Sequence, residues 1–214
     1  MRSLSWLISL VPLMACAGSA PPSDNPPASV RERLESEPTR LLMSGADSGG
    51  TLTAELRDHT GWQSGLVTLE VSDGELVVSA DPQTGALTVE RFGLGLEPIA
   101  IPDSVFGNPA EMKNVRVALA APAPIAAPAW SSDDDAVTAT ATVSLTLSWA
   151  LGVDGSTIPL GSPSLPPVPV ELSLSGDGTI VHGEVRVHQQ GELWSWADLV
   201  KLEDLSLVLS AKSL

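Results

Sequence analysis

The stretch "AVTATATVSLTLSWAL", residues 136–151, decides the fold class. Its odd positions run Val137, Ala139, Ala141, Val143, Leu145, Leu147, Trp149 and Leu151. Between them stand Thr138, Thr140, Thr142, Ser144, Thr146 and Ser148. An apolar face alternating with a small hydroxylated face is the period of a half-buried β-strand, not of a helix. At about 3.3 Å per residue the run spans roughly 53 Å, well beyond an ordinary strand. It is therefore expected to bend, or to pass from one sheet to another.

The same period extends outward in both directions. "TLTAELR" alternates Leu52, Ala54 and Leu56, and "VTLEV" alternates Val67, Leu69 and Val71. Asp73-Gly74 then reads as a hairpin turn, with "ELVVSA" returning and Asp81–Gly85 making the next turn. "VPVELSLSGDGTIVHGEVRV" is a second hairpin, turning at Asp177-Gly178, and "LEDLSLVLSA" closes the chain. Two places break the period. Asn108-Pro109-Ala110-Glu111 and Ser195-Trp196-Ala197-Asp198 each carry helix-start chemistry, so a short helical turn is expected at each. After them, Val115, Val117, Leu119 and Ala121 match Leu205, Leu207, Leu209 and Ala211, which hints at two related halves. The reading is an all-β antiparallel sandwich or flattened barrel of about 8 to 11 strands.

The N-terminal region differs in kind. Arg2 precedes a mostly apolar run from Leu4 to Ala15, shorter than the roughly 20 residues that span a bilayer. The sole cysteine follows in "LMAC", residues 13–16. This order of charge, apolar run, small residue and cysteine resembles the lipobox signal of bacterial lipoproteins. The resemblance covers residues 1–16 only. It implies a diacylglyceryl group on the Cys16 sulfur, cleavage between Ala15 and Cys16, and, with Ala17 rather than Asp next, delivery to the outer membrane. The alternative is an ordinary signal peptide cut after Ala17 or Ala20. The division expected is thus a helical signal peptide over 1–15, a lipidated Pro/Ser-rich tether with a possible short helix over 16–44, and a β domain over 45–214. Residues 17–29, "AGSAPPSDNPPAS", reach about 40 Å when extended.

Composition narrows the partners. The formal charge is −15, and no lysine or arginine occurs between Val117 and Val185. Nucleic acid is excluded, because phosphate binding needs a basic patch. Attachment to a membrane is left to the lipid on Cys16. No cofactor motif is present: there is no phosphate-cradling Gly-rich loop with its lysine and no Gly-x-Ser-x-Gly elbow.

"GADSGG", residues 45–50, resembles the sequence around the nucleophile of trypsin-like proteases, but Ser48 precedes every candidate histidine. A Gly/Ser-rich loop is the better reading. His182 and His188 share a strand face roughly 20 Å apart, with Glu184 and Arg186 between them, and read as a solvated face. Asp133, Asp134 and Asp135 form a weak calcium candidate, since adjacent side chains diverge. Ala139 and Ala141 at one end, against Leu147 and Trp149 at the other, taper in a way that suits an apolar groove, with "GLGLEPIAIP" as its rim. The sequence therefore predicts a non-catalytic structural or protein-binding lipoprotein of the envelope. A carrier of an apolar ligand such as a lipid is the alternative, and a hydrolase assembled from distant residues comes third.

Overall fold

The computed structural model describes residues 28–101, 109–159, 161, 164–196 and 200–214. Helix α1 (Val30–Ser36) leads into strands β1 (Thr39–Met43), β2 (Gly49–Asp58), β3 (Gly61–Ala80), β4 (Leu87–Leu96) and β5 (Ile99–Ile101). Then follow β6 (Ala110–Leu119), β7 (Ala123–Ile125), β8 (Ala129–Trp130), β9 (Ala136–Val143) and β10 (Leu145–Val153). The chain continues through β11 (Ser156–Pro159), β12 (Val168–Asp177), β13 (Ile180–Trp196) and β14 (Val200–Ser213). The fourteen strands of the described residues join one antiparallel sheet, so the all-β reading holds; their number exceeds the expected range because of short pieces such as β5, β7 and β8.

The 136–151 stretch closes that sheet on itself. Its two halves are β9 and β10, separated by Ser144 alone. β9 pairs with β12, whereas β10 pairs with β6 at the other end of the strand order. Val143 and Leu145 on either side of the break are both buried, so the apolar face stays inward while the hydrogen-bonding partner changes. The order β10-β6-β4-β3-β1-β14-β13-β12-β9 thus returns covalently to its start. Only two short strands, β11 beyond β10 and β8 beyond β9, then end the order, so little edge, the usual liability of a large antiparallel sheet, is left there. Leu76 and Phe92 on one wall and Val143, Leu172, Val185 and Val187 on the other line one apolar interior, which gives a flattened barrel.

The topology repeats. β1 and β2 run the same way between β3 and β14 and form one lane, interrupted by a single 3-10 turn at Gly45–Asp47. β9 and β10 form the counterpart lane, although β10 pairs with β6 and β9 with β12, whereas β1 and β2 each pair with both β3 and β14. Each lane is followed in the chain by a hairpin, β3–β4 or β12–β13, and then by a return strand, β6 or β14. Leu94 pairs with Val117, and Val187 pairs with Leu207, in keeping with the two-half pattern in the sequence.

Several local expectations are corrected. Asp73-Gly74 is no hairpin: β3 runs unbroken through it, with a bulge between Val71 and Asp73. β1 runs beside β3 here, and a Cβ on Gly74 would lie 2.5 Å from Met43 Sδ and 3.1 Å from the Gly93 carbonyl oxygen. The hairpin that matches Asp177-Gly178 is Asp81–Gly85. Ala110 and Glu111 do not start a helix but begin β6, held by β10 on one side and β5 on the other. Two-sided pairing outweighs a local capping signal. Ser195 and Trp196 likewise remain in β13, opposite Lys201 and Val200. Asn108, Ala197 and Asp198 lie outside the described residues. "GLGLEPIAIP" is chiefly strand, in β4 and β5, rather than a rim.

The boundary at residue 44 is also moved. α1 is fixed by a full capping box, Ser29 with Glu32, and buries Val30 (0% exposed) and Leu34 (1%) in the common core. β1 lies between β3 and β14 in the middle of the sheet. Both belong to the barrel and not to a tether.

Candidate functional site

Cys16 and Ala15 lie outside the described residues. The proposed groove residues do not form a groove. Ala139, Leu147 and Trp149 are buried, and Ala141 packs against the same core. β9 and β10 diverge at Ser144 and carry the two pairs to different partners, so the taper is filled by the opposite wall. The void lined by Leu76, Phe92, Val143, Leu172 and Val185 is about 30 Å³. Pockets for small ligands start near 300 Å³.

The acidic triplet seats the helix. Asp133 Oδ1 accepts from the Ser131 hydroxyl at 2.6 Å and from the Asp135 amide at 3.4 Å. These bonds hold the Asp133 carboxyl below its ordinary range, the Ser131 hydroxyl being the main cause. Asp134 faces Arg31, with 3.5 Å between Oδ1 and Nη1. Asp135 Oδ1 accepts from the Val30 amide at 3.3 Å, satisfying a free donor at the helix start. Three carboxylates turned to three partners cannot share one cation, and no group of metal-binding side chains occurs among the described residues. Sequence separation hid this role, since the helix lies more than a hundred residues away.

Around this seat α1 closes one end of the barrel. Arg31 pairs with Glu35 at 2.8 Å and lies over the Trp130 ring, 5.5 Å from its centre. Trp130 Nε1 donates to the Gly85 carbonyl at 3.0 Å, which ties β8 to the β3–β4 turn. Arg33 donates to the Gly178 carbonyl in the β12–β13 turn. One helix therefore touches the turns of both hairpins.

The "GADSGG" segment carries the lane from β1 into β2. Ser48 Oγ accepts from the Ser210 amide at 2.9 Å, and the Ser44 amide donates to the Ser210 carbonyl at 3.0 Å. The hydroxyl thus staples the lane to β14. Beside it lies an open cleft of about 620 Å³, bordered by Ser48, Thr68, Glu70, Glu97 and Pro98. Its lining includes no histidine, and the segment is no loop at the domain edge: Gly45–Asp47 is a 3-10 turn and Gly49-Gly50 begin β2 between β3 and β14. His182 and His188 are exposed beside Glu184 and Arg186, which pair with each other at 2.6 Å.

At the end of β3 away from α1 the sheet continues as an arm, which still packs Leu52, Leu69 and Leu202 into the core and is exposed at its tip. The first half of β3 pairs with β2, β2 with the first half of β14, and β14 with the last part of β13. On it, Trp62 is 37% exposed, with Lys201 Nζ 4.7 Å and Arg57 Cζ 5.9 Å from its ring centre. Leu66 is 73% exposed. The sequence reading missed this surface, because "VTLEV" and "ELVVSA" were read as separate short strands. Among the described residues no polar or charged residue is buried, and no helix is long and apolar enough to cross a membrane. No protein-family model matches this chain, and a search of the curated proteins found no match.

Proposed function

We propose that this chain is a lipid-anchored, non-catalytic module of the bacterial cell envelope, attached through Cys16, held at the outer membrane and built to bind protein. The observation that carries the reading is the placement of the two ends. The chain enters the barrel through α1, beside the Asp81–Gly85 turn, and the arm lies at the other end of the same strand. From Gly61 to Ala80 that strand spans about 60 Å. A lipid at one end therefore presents the arm away from the membrane. The small size of the apolar void among the described residues, about 30 Å³, supports a binding surface over a carrier cavity, and the acidic composition leaves the lipid as the attachment.

Metabolic labelling with radioactive palmitate and membrane fractionation test the anchor. Labelling of the natural chain, with loss of both label and membrane association in Cys16→Ser, is the expected result. Unchanged labelling and fractionation in Cys16→Ser overturn it.

A further inference from the structure

We propose that the outer edge of β3, from Trp62 to Thr68, pairs with the same edge of a second copy of this chain about a two-fold axis at Gly65. This names the partner of the arm and stands whether or not Cys16 is lipidated. β3 meets β4 only from Val71 onward, so the segment before it is bonded to β2 on one side and, among the described residues, to no strand on the other. A strand edge dictates its own occupant, because its outward amides and carbonyls are matched by another extended backbone.

Other one-sided strands among the described residues are short or irregular: β5 and β7 have three residues each, β8 has two, β11 ends in Pro159, and the distal part of β13 is broken by two register shifts around Glu192. The Trp62–Thr68 edge has no proline, no charge and no register shift against β2. That lack of charge selects a second copy. Reversed upon itself about Gly65, the segment places Trp62 opposite Thr68, Gln63 opposite Val67 and Ser64 opposite Leu66. No two like charges meet, although each whole chain carries −15. The pairing also covers Leu66, which is otherwise the most exposed large apolar residue of the arm.

The test uses the full chain carrying Cys16→Ala, so that neither lipid nor thiol contributes to association. Sedimentation equilibrium is expected to give twice the chain mass, and hydrogen exchange to show protection at those amides of residues 63–67 that point away from β2, the alternate ones being bonded to β2 within one copy. Ser64→Lys with Leu66→Lys sets lysine opposite lysine twice across the axis. Within one copy the same positions face Glu55 and Thr53, so the fold is retained. This variant is expected to sediment as a monomer, to lose protection at the outward amides alone while those bonded to β2 stay protected, and to keep its β circular dichroism. A natural edge that is monomeric, alone or in complex with a different envelope protein, overturns the proposal. So does a dimer that survives the double substitution.

Discussion

Arg31 lies over the ring of Trp130 while facing Asp134, so one guanidinium joins the helix, β8 and the acidic loop. α1 is thereby a structural part of the barrel, and its removal has a cost. Leu34→Ala deletes a fully buried side chain and is expected to lower stability by about 2 to 5 kcal/mol. A chain cut back to Ser44 loses β1 as well and is expected to be unfolded or aggregated by circular dichroism and gel filtration. A cooperative melt from that truncated chain, equal to that of the full chain, would place α1 outside the fold after all.

The close approach of β2 to β14 gives a second expectation. A Cβ on Gly50 would run into the Ser206 carbonyl oxygen and lie 2.9 Å from Leu207 Cα, both backbone atoms of a central strand. Gly50→Ala is expected to destabilise by about 1 to 3 kcal/mol or more, as overpacking does. Gly65→Ala, where a Cβ meets nothing within 4 Å, is the control and is expected to be near neutral in the monomer. Urea denaturation of the two variants compares them directly, and equal effects would refute the crossing.

Acid is expected to loosen the end of the barrel that holds α1. Asp81 Oδ1 accepts from the Thr84 amide (2.8 Å), the Thr84 hydroxyl (2.9 Å) and the Gln83 amide (2.9 Å), which together lower its pKa. Asp133 is lowered by the Ser131 hydroxyl. For a carboxyl whose folded pKa lies below its unfolded value, the stabilisation is complete above the unfolded value, about 3.9. It is lost as pH falls through the lowered folded value. Thermal midpoints should therefore fall below about pH 4, with a shallower fall in Asp81→Ala. A midpoint that rises on acidification, or an unaltered slope in that variant, would contradict the role given to these bonds.

Much of the fold was legible because its signals are local. The alternation at 136–151 marks the face that packs inward, and the hairpin expected at Asp177-Gly178 is present one residue later, with Gly178 (φ +58°) and Thr179 as its turn and Asp177 as the last strand residue, opposite Ile180. What the sequence hid depends on distant partners. Asp73-Gly74 has turn chemistry, yet β1 and β4 flank the strand there and hold it straight. Asp133–Asp135 has the composition of a cation loop, yet its carboxylates serve a helix over a hundred residues earlier. The arm was missed for the same reason, since it exists only once β3 is one strand rather than two.

The anchor is the premise on which the envelope reading stands, and intact mass spectrometry of the membrane-purified protein tests it most directly. The account predicts a chain that begins at Cys16 and carries the added mass of a diacylglyceryl group on its sulfur, with a further acyl group where the new amine is modified. A chain that begins at Gly18 or Pro21, or one that retains an unmodified Cys16 thiol, would contradict it.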